Sequence, residues 1–336
     1  MDLRKFILVR FLAIIPTLFL LATIVFVVMH VIPGDPVESI MGSTAITQEQ
    51  IDIIRHTLGL DKPIYIQYLD YMGNLLKGDF GYSFVRSRPV IEEILYNFPA
   101  TIELTIFSML LAIPLGVLLG IAAAKRKGKK VDLIIRFGAI TIWCFPIFWL
   151  GLMFQIFIVF YFPSIPIFGR IGSRIVLERI TGFTIIDSIM TNNIEALFDS
   201  LKHLILPVFT LGISMAASLT RVSRTNLIAV LDEDFIKVVR LKGSSEKVVF
   251  NKHVLPNALI PILTYAGLQL AMLMGGAILT ETTFSWPGLG RLLLFAVSYR
   301  DFNLIQGCVV FWAIIIISIN LVVDIFYAII DPRVRY

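Results

Sequence analysis

The chain has two cysteines and four histidines among 336 residues, and only 16% of its residues are charged. Cys144 and Cys308 each sit inside a long apolar run, where a thiol behaves as a small apolar side chain, so a disulfide scaffold is excluded. His30, His56, His203 and His253 fall in four separate segments with no pair at metal-ligand spacing, so no metal site is expected. A G-x-x-x-x-G-K-[ST] phosphate loop is missing. The nearest stretch, beginning at Gly120, carries Lys125 and Arg126 where glycine and lysine are required. No catalytic residue can therefore be nominated, and the apolar runs hold no paired nucleophile and base. Soluble domains carry roughly 25% charged residues, which excludes that class too.

What is present is apolar. Residues of that kind make up 57% of the chain, and the mean hydropathy is +0.85. Crossing a hydrocarbon core of about 30 Å takes roughly 20 residues of helix. Six runs approach or exceed that length: Phe11 to Ile32, Ile102 to Ala124, Phe137 to Phe162, Leu204 to Thr220, Ala258 to Thr280 and Leu304 to Ile330. The expected class is an all-α polytopic membrane protein with six spans. The fourth run is short and contains Pro207, which a membrane helix tolerates when neighbours re-satisfy the freed carbonyl. The first follows Arg4, Lys5 and Arg10, but it exceeds a signal peptide's apolar region and no small-x-small cleavage site follows, so a retained signal anchor is expected.

The net charge of +5 is distributed by topology. Segments 1–10, 125–136, 221–256 and 331–336 hold eighteen lysines and arginines, whereas the much longer segments 33–101, 163–203 and 281–303 hold eleven. This density, more than threefold higher on one side, places both termini in the cytoplasm and argues against nucleic acid as a partner. The run Lys125-Arg126-Lys127-Gly128-Lys129-Lys130 reads as a stop signal at the membrane surface, in reach of anionic lipid.

The outer segment 33–101 has nine acids against five cations and two amphipathic stretches, Gln48 to Leu58 and Ile64 to Leu76, with Thr47 and Gln50 forming a capping box for the first. Residues 1–100 are thus expected to form a span plus an external helical subdomain. Segment 163–203 reads as a loop with at most one short helix, near Asn192 to Leu201. Within the transmembrane domain 101–330, the inner segment 221–256 is expected to leave the bilayer as a rigid knob. Leu227, Leu231, Phe235, Val238 and Val239 fall at helical spacing, Gly243 breaks the helix, and Ser244 caps a second helix running to Pro256. Residues 331–336 form a tail.

Charges inside spans are candidate functional groups. Glu103 faces the transport path or, being near an interface, reaches water. Asp324, close to Arg333 and Arg335, is expected to pair with a basic residue. Gln269, Gly275 and neighbouring small residues of the fifth run suit helix packing or a pathway lining.

Four motifs in order carry a resemblance. Asp234-Phe235-Ile236-Lys237-Val238-Val239-Arg240-Leu241-Lys242-Gly243, followed eleven residues later by Leu255-Pro256, is similar to the ATPase-coupling "EAA" loop of binding-protein-dependent ABC importer permeases. The others are Ile32-Pro33-Gly34-Asp35-Pro36, Leu58-Gly59-Leu60-Asp61-Lys62-Pro63 and Glu281-Thr282-Thr283-Phe284-Ser285-Trp286-Pro287-Gly288-Leu289-Gly290. Together they resemble the first of the two permeases of peptide and nickel importers, and the insert Thr181 to Asp187 points to the dipeptide branch. Val239 and Phe235 replace the alanine and tyrosine common in that motif.

The resemblance implies a type I ABC importer permease fold in the inner membrane and a non-enzymatic subunit. Its partners would be a second homologous permease, two ATPase subunits that carry the ATP and Mg, and an extracytoplasmic substrate-binding protein. No cofactor is expected in this chain. Asp234, Arg240, Lys242, Gly243, Glu246 and Pro256 would form the coupling loop. Glu103, Gln269, Gly275 and Trp286 would line the pathway or receive the binding protein. Nickel, glutathione or longer peptides are the alternative cargoes. A different class, an ion-coupled secondary transporter with Glu103 or Asp324 binding a proton, often shows broken helices or inverted repeats, and neither is read from the sequence.

Overall fold

The computed structural model describes residues 3–31, 49, 55, 56, 59 and 61–330, with side chains described for 9–31, 49, 55, 56, 59, 61–274 and 277–325. The motif from Ile32 to Pro36, the Thr47–Gln50 capping box, most of the stretch 48–58, and Arg333 and Arg335 lie outside the described residues.

The elements in order are α1 (Leu3–Val31), α2 (Ile64–Leu76), a hairpin of β1 (Tyr82–Ser83) and β2 (Arg88–Pro89), α3 (Val90–Ala124), α4 (Lys130–Cys144), α5 (Ile147–Tyr161), α6 (Thr184–Met190), α7 (Ile194–Leu231), α8 (Asp234–Leu241), α9 (Glu246–Val248), α10 (Leu255–Gly276), α11 (Ile278–Thr283), α12 (Leu289–Ser298) and α13 (Phe302–Ile330). Among the described residues five helices are long and apolar enough to cross a membrane, and the bent pair α4–α5 makes a sixth candidate if it is one span.

That pair corrects the expectation of six unbroken runs. The third run is two fifteen-residue helices whose axes bend by 101°. Pro146 explains the break: the residue before a proline is pushed out of helical geometry, and Phe145 has φ −82° and ψ 137°. The fourth run is not short either. Asn193 caps it by accepting a hydrogen bond from the Ala196 N–H at 3.0 Å, and α7 then continues for 38 residues through Pro207 to Leu231. The helix expected near Asn192 to Leu201 is the first turns of this span, and the loop between α5 and α7 carries the additional helix α6. The fifth run ends early, at Gly276, and passes through Ala277 into α11. Helix α2 matches its expected limits.

Helices α3 and α7 form the centre. Gly116 and Gly120 on α3 lie so close to α7 that a Cβ at either would collide with Leu219 or Ser223. Small residues at a crossing bring two backbones together, and van der Waals contact then holds them. One buried cluster joins Ile236, Val249 and Phe250 with Leu227, Leu219 and Leu211 of α7 and with Leu104 and Trp286. A second, of Val90, Ile94, Leu289, Leu304, Cys308 and Trp312, joins the start of α3 to α12 and α13. Helix α1 packs against α13. Across that contact Arg10 Nη1 lies 3.3 Å from Asp324 Oδ2, so the basic partner expected for Asp324 comes from the first span.

Candidate functional site

The knob forms where α7 ends at Leu231. Asp232 and Glu233 turn the chain, which adds a break the sequence did not suggest, and α8 begins at Asp234. Gly243 then adopts φ +82°, a left-handed conformation that costs any residue with a Cβ about 1–2 kcal/mol. Ser245, not Ser244, occupies the N-cap of α9, and its side chain makes no capping bond. Residues Val249–Val254 form a wide π-helical turn that feeds directly into α10. Pro256 fits in the first turn of α10.

The knob has two apolar faces. Ile236, Val249 and Val254 are fully buried, with Phe250 nearly so, and they seat the knob on the central core. Phe235, Val238 and Leu241 point the other way and are 43%, 49% and 87% exposed. The face expected from spacing is therefore divided: Leu227 belongs to the core, Phe235 and Val238 to the exterior, and Ile236 supplies the anchor. The motif charges serve the knob's own shape. Arg240 donates from Nε to Glu246 Oε1 at 2.8 Å and from Nη2 to Oε2 at 3.3 Å, across the Gly243 corner. Lys237 donates to Asp234 at 2.7 Å. Lys242 is exposed at the end of α8.

The basic run after α3 braces the knob's base. The Lys125 ammonium lies 4.1 Å from the Phe250 ring centre, and Lys127 donates to Asp232 at 3.0 Å. Asp132 accepts a bidentate pair from Arg224 at 2.6 and 2.8 Å and the Gly128 N–H at 3.0 Å, tying α4 to α7.

At the other end of α3 lie two candidates that the fold brings together. Glu103 is 3% exposed and faces neither water nor an open path. It pairs with Arg170 at 2.6 and 2.8 Å and accepts the Ile185 N–H at 3.0 Å, clamping the loop between α5 and α7 onto α3. Trp286 is fully buried and its indole N–H donates to the Ala100 carbonyl at 2.8 Å, so it pins the α11–α12 loop instead of offering a docking surface. Gln269 sits apart from both, buried between α10 and α7, where it donates to Ser218 Oγ at 2.6 Å. Gly275 falls in the last turn of α10. Among the described residues no cluster of histidine, cysteine, aspartate or glutamate suits a metal ion.

Sequence reasoning passed over Glu281. It is fully buried and accepts hydrogen bonds from the Thr101 hydroxyl at 2.7 Å and from the Gly290 and Arg291 N–H groups at 2.7 and 3.1 Å. Thr101 Oγ1 in turn accepts the Leu289 N–H at 2.8 Å. A carboxylate so placed meets the exposed N–H groups at the start of α12. The signal was Gly288 and Gly290, whose missing side chains leave the space the carboxylate fills.

Asp187 organises the loop between α5 and α7 similarly. Burial pushes its carboxyl up, but the Thr181 hydroxyl and the Thr181 and Gly182 N–H groups donate to it at 2.6, 2.7 and 3.0 Å and hold it below the usual carboxylate range.

Residues 116–336 match the family described as the binding-protein-dependent transport system inner membrane component, and residues 3–105 match that of the N-terminal part of such membrane components. The chain is similar to a dipeptide transport system permease of Alkalihalophilus pseudofirmus, 42% identical over 97% of this chain and 98% of that protein. A di/tripeptide transport system permease of Pseudomonas aeruginosa is 40% identical over 96% of each. A glutathione transport system permease of Salmonella choleraesuis is 41% identical over 99% of each. A crystal structure of an amino acid ABC transporter with histidines shares the fold, with a TM-score of 0.50 and 15% identity over 70% of this chain and 94% of that one.

Proposed function

Because the chain belongs to the inner-membrane components of binding-protein-dependent transport systems, we propose that it carries dipeptides, and short peptides generally, into the cytoplasm as one permease of an ATP-driven importer. It is a transporter membrane subunit, not an enzyme, as are its relatives. The observation that carries the cargo is full-length similarity of about 40% to several dipeptide permeases. The 41% identity to the glutathione permease supports a second reading, in which a tripeptide-like thiol is carried instead.

In this reading the α8 knob lies in the cytoplasm, as the cation distribution supports. A second, homologous permease completes the pathway, and each of two ATPase subunits receives one knob, holding the ATP and Mg that this chain has no phosphate loop to bind. Phe235, Val238 and Leu241 enter an apolar pocket on the ATPase. The Arg240–Glu246 clamp keeps the Gly243 corner from opening under load. Movement of the ATPases then shifts Ile236 and Phe250, and the continuous core passes that shift along α7 to the outer end of α3. Close packing favours rigid-body transmission over local yielding.

The test is uptake of labelled Ala-Ala by cells that lack their own peptide importers and express the whole system with or without this chain. Uptake that needs this chain, ATP and the binding protein supports the reading. Glutathione uptake without Ala-Ala uptake favours the second reading, and uptake of neither contradicts both.

A further inference from the structure

The end of α3 opposite the knob, about 50 Å away by helix length, carries a cavity of about 300 Å³ lined by Arg86, Arg88, Glu93, Tyr96 and Asn97. Glu93 is nearly buried, with its side chain 8% exposed, yet the nearest nitrogens of Arg86 and Arg88 stand 4.0 and 3.9 Å away. Charge-assisted hydrogen bonds form at about 2.7–2.9 Å, so these two contacts are attractions across a gap.

The frame around this gap is fixed. The Arg86 N–H donates to Ser83 Oγ at 3.1 Å, Ser83 donates to Asp301 at 2.5 Å, and the Arg86 guanidinium lies 4.0 Å from the Phe295 ring centre. Asn97 donates to the Glu93 carbonyl at 2.8 Å, holding the first turns of α3. Arg88, on β2, has a side chain 61% exposed and stands at the rim. Arg86 thus rests on Phe295 and forms no bidentate pair with Glu93.

We propose that this cavity holds the two charged ends of a short peptide on the permease itself, with Arg88 and Arg86 taking the terminal carboxylate and Glu93 the terminal ammonium. Guanidinium forks match a carboxylate, and an acceptor-only Glu93 matches a three-donor ammonium. The volume, at the lower end of small-molecule pockets, leaves room for a small zwitterion. The inference rests on the peptide reading above. Under that reading the cavity lies on the outer face, where cargo leaves the binding protein.

The experiment uses the complete permease–ATPase complex in lipid nanodiscs without the binding protein. Saturation transfer from the complex to Ala-Ala is measured by ligand-observed NMR. Transfer is expected from the wild type and should fall about tenfold in Arg88→Ala and in Glu93→Gln, the loss of one charge-assisted hydrogen bond. Acetylated, amidated Ala-Ala, which lacks both charges, should give none. Glu93→Gln keeps the shape, and complex assembly by size-exclusion chromatography controls for folding.

Equal transfer in wild type and both variants, or from the blocked peptide, overturns the inference. So does weaker binding-protein affinity in Arg88→Ala with the Ala-Ala signal unchanged, which would make the cavity a protein-docking site. Uptake of Ala-Ala by wild-type cells keeps the peptide reading standing in either case. If such uptake is absent, it is that reading that fails.

Discussion

Arg240 and Glu246 hold each other across Gly243, with Nε and Oε1 at 2.8 Å, so that two short helices of the knob are joined by a left-handed glycine and a two-bonded ion pair. Both side chains are largely exposed, at 40% and 71%, and pairs of that kind contribute about 0.2–1 kcal/mol to folding. Their importance is for the angle of the corner. Arg240→Glu or Glu246→Arg alone should leave complex assembly intact while reducing peptide uptake several-fold, and the double exchange should restore much of it. Uptake and the amount of complex purified, compared across the three variants, check this. No restoration would show that the two residues act separately.

Leu241 is 87% exposed on the outward apolar face of α8 beside Phe235 and Val238. Leu241→Asp places a charge where an apolar pocket is expected on the ATPase, at a cost of several kcal/mol to docking if the site is dry. The ATPases should no longer co-purify with the permeases, although this chain still inserts. Retention of the ATPases at wild-type level would place docking elsewhere.

Glu103 and Arg170 form a buried ion pair. Removing one partner of such a pair costs about 3–5 kcal/mol, because the other charge stays buried alone. Glu103→Ala should lower the melting temperature of the purified complex markedly, whereas Glu103→Leu with Arg170→Met should recover part of the loss. Full stability in Glu103→Ala together with altered transport would return Glu103 to the pathway.

The loop between α5 and α7 should loosen in acid. The folded pKa of Asp187 lies below its ordinary value of 3.8, so its contribution is complete above about 3.8 and is lost as pH falls through the lower folded value. Protease cleavage within residues 163–193 should rise below that pH in the wild type. In Asp187→Asn it should be fast at neutral pH and vary less with acid. Identical pH profiles would assign the loop's order to other groups.

Much of this architecture was legible in the chain. Helix α2 begins and ends where its apolar period does, and Gly243 marks the corner it was expected to mark. Hydropathy could not reveal the bend at Phe145–Pro146, because both halves are apolar and a window reads them as one run. Nor could it show that α7 is one helix from Ile194 to Leu231, since Lys202 and Arg221 look like borders. Ile236 and Phe235 are adjacent and equally apolar. Only packing decides that Ile236 enters the core and Phe235 faces outward. Glu103 was noticed for its charge but its partner, Arg170, lies 67 residues away in a loop with no periodicity. Glu281 stood in a motif already singled out, yet its role depends on Thr101 from another span.

The role proposed for the α8 knob is to couple ATP hydrolysis to peptide movement. Its most direct test is Ala-Ala uptake and ATP hydrolysis measured together in proteoliposomes containing the whole complex, with Gly243 replaced by leucine. A leucine forced to φ +82° should shift the corner. Hydrolysis that continues while uptake falls about tenfold or more, a loss of roughly 1.4 kcal/mol of coupling, is the expected result. Wild-type uptake per ATP hydrolysed would contradict the account.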